Sequence, residues 1–339
     1  MYLLYGGDGS PYSAKIRALL RYRRIPFLWK PMCDDDTTFI AGVSEKFPGL
    51  PPVIPVLVRP DGSFTNDSTP IILELDSKFP ERKVVPSDPV LAFLSALVED
   101  FADEWMTKVM FEGRFHTPED SLFGASWQGL QNPRMASSRM AKAGLQAFAN
   151  RQFKRRYIIG CEDWDSMNIT LTRLCSALTE LLKDGRGFLF GLPSNADFAL
   201  FGQLRMLVND PFPAKVVQQY PAVWGWVLRV EDLSGWEGSG EHVLTPAALS
   251  VLKLISETHI PFLLANASAL RSGAKEFEVP IFKGAKIHQQ PPFKYQGKCL
   301  KALCNQYAAL DCKHKRRVNE TLEQFGVDAG AAFCQSHSA

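Results

Sequence analysis

Net charge is nearly absent from this sequence. Lysine and arginine number 38 against 36 aspartates and glutamates in 339 residues, a formal charge of +2. A surface dedicated to nucleic acid normally carries a pronounced basic excess, so bulk charge argues against such a partner. Long uncharged apolar runs are missing too, and the opening MYLLYGGDGSPY has neither a basic leader nor a continuous apolar core. The expectation is no signal peptide, no membrane span and a cytoplasmic protein. Cysteine is sparse and odd in number, seven residues scattered from Cys33 to Cys334, which fits reduced thiols better than a disulfide framework. Cys299, Cys304, Cys312 and His314 follow the spacing C-x4-C-x7-C-x-H, without the usual C-x2-C pair, and no metal is expected. There is no convincing internal repeat, and His242, His259 and His288 have no partners that sequence can assign.

What is present suits ordinary folded cores: 46% apolar residues, with aromatics making up 11% of the chain, over a length that exceeds one core and points to two domains and a third segment. In LYGGDGSPYSAKIRALLRYRRIPF a short strand, Tyr2–Tyr5, stops at a glycine-rich turn, and Ser10-Pro11 opens a helix. Ile16, Leu19 and Leu20 recur at helical spacing with Lys15, Arg17, Arg21 and Arg24 around them. Phe27–Met32 reads as a second strand, Asp34–Lys46 holds room for a short helix, and Pro55–Val58 is a buried strand. Asp61-Gly62 signals a hairpin into Phe64, and Ser68–Phe79 is a helix with an Ile71, Ile72, Leu75 stripe. The order β-α-β-α-β-β-α is the thioredoxin-like plan. In PPVIPVLV, Pro55 either adopts a cis bond, which leaves the Ile54 backbone free for a ligand, or simply starts a trans strand.

Beyond a linker with Pro80, Pro86 and Pro89 the pattern is all-helical: Leu91–Met110, Ser137–Phe153, Asp165–Lys183, Ala196–Val208 and Pro221–Leu233. Ser194 and Asp197 have capping-box spacing and read as structural. From about Glu241 a further segment predicts helix over Pro246–Leu270 with a kink at Pro261. A hairpin turning at Gly284 within Phe277–Phe293 follows, then helices over Tyr295–Leu310 and near Arg317–Phe325. CKHKRR, Cys312 to Arg317, reads as a solvated helix end, and the terminal QSHSA as loose. The fold expected is an α/β thioredoxin-like domain over 1–82, an all-α domain over 90–240 and an α+β C-terminal extension over 241–339.

Four stretches in order, SPYSAKIR, VIPVLV, NDSTPII and SNADFAL, resemble the cytosolic glutathione S-transferase superfamily. SPYSAKIR is similar to the catalytic-helix motif of its serine-type classes, with a tau- or omega-like character. The resemblance covers roughly residues 1–235 and implies a detoxification enzyme that takes glutathione as co-substrate, holds no permanent cofactor and works as a homodimer. It implies that Ser10 hydrogen-bonds the glutathione sulfur, that Ile54 and Pro55 meet its cysteinyl part, and that Asp67 and Ser68 hold the γ-glutamyl end. Tyr5 stands near the position where other classes carry a catalytic tyrosine and is the alternative to Ser10. Position 10 is not cysteine, which argues against thiol-transfer chemistry, and Cys33 falls outside the motif.

Physical chemistry supports a serine in this role. Lowering a thiol pKa of about 8.5 by two units needs roughly 2.7 kcal/mol of preference for the anion. One charge-assisted hydrogen bond supplies on the order of 1.5–3 kcal/mol, and a helix N-terminus adds to it. Yet Ser10 and Asp67-Ser68 also read as plain helix caps. Val53 stands where many relatives place a base for the glycine carboxylate of glutathione. Tyr12, Trp105, Phe111 and Arg114 are candidates for a second-substrate pocket receiving a small apolar electrophile, against a packed or solvated helix face. The alternative functions are a catalytically silent binding or assembly module and a carrier of apolar ligands.

Overall fold

The computed structural model describes residues 1–31, 47–49, 53–129 and 139–334, with the side chains of 139–141 left aside. The helix expected within Asp34–Lys46, Cys33 and the terminal QSHSA lie outside the described residues. The chain opens with β1 (Tyr2–Gly6), α1 (Pro11–Tyr22), β2 (Phe27–Pro31), β3 (Val56–Val58), β4 (Phe64–Asn66) and α2 (Ser68–Lys78). The four strands form one sheet in the order β2-β1-β3-β4, with β1 and β2 parallel and the other pairs antiparallel. Period-two burial along β1 sends Tyr2 and Leu4 inward while Leu3 and Tyr5 stay half-buried. Ile16, Leu19 and Leu20 of α1 and Ile71, Ile72 and Leu75 of α2 are buried. One expectation fails here: Lys15, read as part of the charged flank of α1, is only 1% exposed. Arg23 and Asp76 form a buried ion pair between α1 and α2. Burial pushes the Asp76 carboxyl upward, against the pull of the Val85 N–H and the Arg23 charge.

Helices follow: α3 (Pro89–Asp100), a π-helical turn (Phe101–Met106), α4 (Thr107–Arg114), α5 (Pro118–Gly129), α6 (Arg139–Ile159), α7 (Trp164–Lys183), α8 (Asn195–Asn209), α9 (Pro211–Val217) and α10 (Pro221–Val230). The single helix expected over Leu91–Met110 is thus longer and interrupted by the π turn. Helices α5 and α9 were not expected; each begins at a proline, which suits a first helical position although it reads as a breaker.

The remaining elements are α11 (Pro246–Glu257), α12 (His259–Ser272), β5 (Phe277–Ile281), β6 (Lys286–Gln290), α13 (Lys294–Ala309), α14 (Cys312–Glu323) and α15 (Ala329–Ala332). The helix over 246–270 divides at Thr258, with φ −132 and ψ −69, three residues ahead of Pro261. A proline ring clashes with the carbonyl four residues earlier, here Glu257, so the break falls where the sterics put it. Taken across that break, Pro246–Ser272 is long and apolar enough to cross a membrane by length and composition alone, an 18-residue window having a mean hydropathy of 1.3. Its most apolar window is 67% buried within the protein, as a core helix is. The CKHKRR segment opens α14, capped by Asp311, whose carboxylate accepts the His314 N–H at 2.8 Å.

The chain forms two compact units. One comprises Met1–Val85, Gly113–Lys154 and Asp197–Ser239; the other comprises Pro86–Glu112, Arg155–Ala196 and Gly240–Ala339.

Candidate active site

The turn from β1 into α1 is built around small residues. A Cβ at Gly6 would lie 2.3 Å from Ser13 Oγ, so only glycine fits there. Ser13 is fully buried, and its hydroxyl accepts the Gly7 N–H at 3.2 Å. Ser10 then stands at the N-cap of α1 with φ −94 and ψ 120, and its Oγ accepts the Ser13 N–H at 3.2 Å. It is therefore a true cap, and the same bond leaves its own hydroxyl hydrogen available to donate. The start of α1 rests on the backbone of α8, where a Cβ at Gly202 would come within 2.4 Å of the Pro11 carbonyl oxygen.

Tyr5, Val56 and Asn66 are paired in one row across β1, β3 and β4. Gly6, Pro55 and Asp67 consequently leave the sheet at the same end, which gathers the β1–α1 turn, the residue before Pro55 and the start of α2. The Ile54–Pro55 peptide is cis, as one of the two sequence alternatives had it. Asp67 donates its N–H to the Pro55 carbonyl at 3.2 Å, and Asn66 Nδ2 donates to the Val53 carbonyl at 3.1 Å. Asp67 holds φ 74 and ψ 137 and makes no side-chain cap bond, so it occupies the cap position of α2 without acting as its side-chain cap. Such backbone values cost a non-glycine residue on the order of 1–3 kcal/mol.

Ser68 follows, 1% exposed, and its Oγ accepts a hydrogen bond from Lys15 Nζ at 3.2 Å. Lys15 is the buried contact of the candidate site that sequence reasoning missed. Its i+5 offset from Ser10 carries it about 7.5 Å along α1 and away from the solvated face. Both hydroxyls are thus set alike. Ser10 is occupied as an acceptor by a helix N–H and Ser68 by an ammonium, and each retains its own O–H for an anion.

Tyr5 points elsewhere. Its ring packs edge-on to Phe47 at 5.2 Å, in an apolar cluster with Ile54, Val58 and Phe64. Tyr12 is half-buried in the first turn of α1, and Phe111 is half-buried on α4. The expectation for Trp105 as a pocket wall is not met. Its side chain is fully buried, with Nε1 donating to Thr170 Oγ1 at 3.3 Å and the ring 5.4 Å from Phe262 and 5.0 Å from His288, so it is core. Arg114, expected as a lone cation in an apolar pocket, is also tied down. Its Nε donates to Asp210 Oδ2 at 2.6 Å and its Nη1 to the Gly9 carbonyl at 2.7 Å, one residue before Ser10. Trp127 Nε1 donates to the other Asp210 oxygen at 3.1 Å.

The second unit holds a buried polar group that no motif announced. Lys108 Nζ donates to the Ile159 carbonyl and to Gln290 Oε1, and burial pulls its pKa down to about 8. Burial, then Asp100 and Asp103, pushes the Glu104 carboxyl well above the usual range. His288 is pushed down to about 3 by burial and then by Lys108. Among the described residues no three His, Cys, Asp or Glu side chains gather as a metal site. Cys304 is buried and Cys312 exposed.

A thioredoxin-like sheet with two helix-start serines and a cis proline at one end, succeeded by helices, is an α/β-plus-helical architecture. Residues 4–83 match the glutathione S-transferase N-terminal domain and residues 165–229 the glutathione S-transferase C-terminal domain, in that order, so over these two stretches the chain is similar to the glutathione S-transferase superfamily. No curated protein sequence matches it. Among solved structures it is similar to a glutathione S-transferase from Rhodospirillum rubrum, with 17% identity, 74% of this chain and 92% of that chain covered, and a TM-score of 0.44. A GST-like protein from Pseudomonas syringae gives 19% identity, 75% and 74% coverage and a TM-score of 0.45. A glutathione S-transferase from Methylobacterium radiotolerans, in complex with glutathione sulfonate, gives 18%, 72% and 96%, and 0.39.

Proposed function

We propose that the chain is a glutathione transferase in which Ser10 donates a hydrogen bond to the glutathione thiolate, and the thiolate attacks a small apolar electrophile. The observation that carries this reading is the pair of preset donors, Ser10 at the start of α1 and Ser68 at the start of α2, at one end of the sheet. The thiolate goes to Ser10. The γ-glutamyl carboxylate goes to Ser68, beside the Lys15 ammonium and the N-terminus of α2. The Ile54 backbone takes the cysteinyl part, and Asp67 the γ-glutamyl ammonium. Tyr5 is the lesser alternative, its ring being packed on Phe47. In this reading residues 1–82 bind glutathione, 90–240 the electrophile, and 241–339 form an extension of a cytoplasmic homodimer. A second reading, a catalytically silent binding module, draws on Val53, which is 41% exposed where a base for the glycine carboxylate is missing.

Calorimetric titration with glutathione, with the bound thiol's pKa read from its ultraviolet absorbance, separates the two. Transferase function predicts a thiol pKa lowered by about two units in the native protein and returned toward 8.5 by Ser10→Ala. Absence of glutathione binding at millimolar concentration would leave the binding module.

A further inference from the structure

The freedom of the Ser10 hydroxyl can be counted bond by bond. The Gly9–Ser10 peptide is planar, so the Gly9 oxygen, the Ser10 N–H and the Ser10 Cα turn together as one plate. The N–H edge of that plate is held within the turn, where it donates to the Gly7 carbonyl at 3.0 Å. The side chain is held within the turn as well, its Oγ accepting the Ser13 N–H at 3.2 Å. The oxygen edge is different. Gly9 stands just before the N-cap of α1, so its carbonyl has no place in the helical hydrogen-bond ladder. Its partner is Arg114 at the end of α4, 105 residues away, whose Nη1 donates to it at 2.7 Å.

The guanidinium is itself placed from several sides, all within the first unit. The Arg114 and Asp210 side chains are 4% and 3% exposed, and Nε donates to Asp210 Oδ2 at 2.6 Å. Gly124 of α5 makes room for the stem, since a Cβ there would stand 2.9 Å from Arg114 Cγ. The Trp127 ring centre lies 5.4 Å from the guanidinium carbon. Gln128, also on α5, packs on Gly9, where a Cβ would stand 2.4 Å from Gln128 Oε1. An arginine that served Asp210 alone would offer Nε and Nη2 side by side to both carboxylate oxygens. Here Oδ1 is taken by the Trp127 indole at 3.1 Å, and Nη2 is left buried without an acceptor among the described residues. The pose gives up the second bond to Asp210 and keeps the one to Gly9, at the cost of a buried, unsatisfied N–H.

We propose that Arg114 is a positioning residue for Ser10, fixing the Gly9–Ser10 peptide and with it the place where the hydroxyl is offered. The inference rests on the role given to Ser10 above. Hydrogen bonds weaken steeply with distance and angle, so a hydroxyl that stabilises a thiolate must be held to a fraction of an ångström. Gly7 and Ser13 move with the turn. Arg114, anchored on Asp210, ties the turn to the helices outside it.

The test compares the native chain with Arg114→Met/Asp210→Asn, which removes both charges and strands neither. Hydrogen exchange of the peptide spanning Ser10 and Ser13, read by mass spectrometry, should run about tenfold faster in the variant. Glutathione titrated at pH 6, where its thiol is mostly protonated, should bind within about threefold of native, because Lys15, Ile54 and Ser68 are untouched. The bound thiol's pKa, read by ultraviolet absorbance, should rise by about one unit, half of the return expected for Ser10→Ala. A control, Glu112→Gln/Arg156→Met, removes another buried ion pair, at 2.7 Å, and should move neither readout. Unchanged exchange at the turn overturns the proposal, as does faster exchange with an unshifted thiol pKa, or an equal response in the control. If the native chain binds no glutathione, the transferase reading falls, and the exchange contrast still decides whether Arg114 holds the turn.

Discussion

At the scale of single residues, the decisive side chain is Lys15. A buried ammonium is costly unless it is hydrogen-bonded, and Ser68 accepts one of its hydrogens. Because Nζ takes up the lone pair of Ser68 Oγ, the serine is steered toward donation, and a carboxylate at the start of α2 gains both the hydrogen bond and the nearby charge. Lys15→Met keeps the length of the side chain and removes both effects. The expected result is a glutathione KM raised about tenfold or more, the size of one hydrogen bond to a charged group, with kcat within about threefold. Steady-state kinetics at varied glutathione checks it, and equal falls in kcat and kcat/KM would move Lys15 from binding to the chemical step. Arg114 acts differently, through Asp210 and the Gly9 carbonyl. Arg114→Met strands the 3%-exposed Asp210 carboxylate with Trp127 alone, and urea denaturation should show a loss of about 3–5 kcal/mol.

At the scale of elements, the site depends on how closely α1 lies on α8. Gly202→Ala forces a methyl group into the Pro11 carbonyl and displaces the very start of α1 that carries Ser10. A cost of about 1–3 kcal/mol is expected with a fall in kcat. Gly225→Ala on α10, where a Cβ meets nothing within 4 Å, should instead stabilise by about 0.5–1 kcal/mol. Thermal melts and turnover measured on both variants check the contrast. The elements around the site were legible in the sequence because each is announced by a local signal. Gly6-Gly7 ends β1, Ser10-Pro11 starts α1, and the stripes of α1 and α2 fix their buried faces. Other features were not legible because their causes are tertiary. The π turn at Phe101–Met106 has no sequence mark that breaks the 3.6 period. The low amphipathy of α5 and the prolines of α9 conceal helices that packing stabilises. Lys15 and Arg114 sit at positions where a charged residue reads as surface, and only the partners Ser68, Asp210 and Gly9, distant in sequence, reveal them as buried.

At the scale of the whole molecule, stability against pH depends on the buried polar group of the second unit. His288 lies among Trp105, Phe262 and Gln290, and its folded pKa of about 3 lies far below the 6.5 of an unfolded histidine. Between those values the unfolded chain binds a proton that the folded chain refuses. Stability from this group is therefore fully present above pH 6.5 and is lost as pH falls, at about 1.4 kcal/mol per unit. Glu104 acts in the opposite sense. Its folded pKa is raised, so between about 4.5 and that higher value the folded chain holds the extra proton and acidification favours it. From pH 4.5 upward the two slopes oppose each other, so each partly offsets the other in the native protein. His288→Phe suits the aromatic surroundings and removes one of them. Relative to the native chain, the variant should gain about 2 kcal/mol as pH falls over the two units from 6.5 to 4.5. Urea unfolding at pH 7.5, 6.5, 5.5 and 4.5, followed by tryptophan fluorescence, measures that difference directly. Parallel stability curves for the two proteins would mean that His288 takes up its proton equally in both states, and the buried group would then have no part in acid sensitivity.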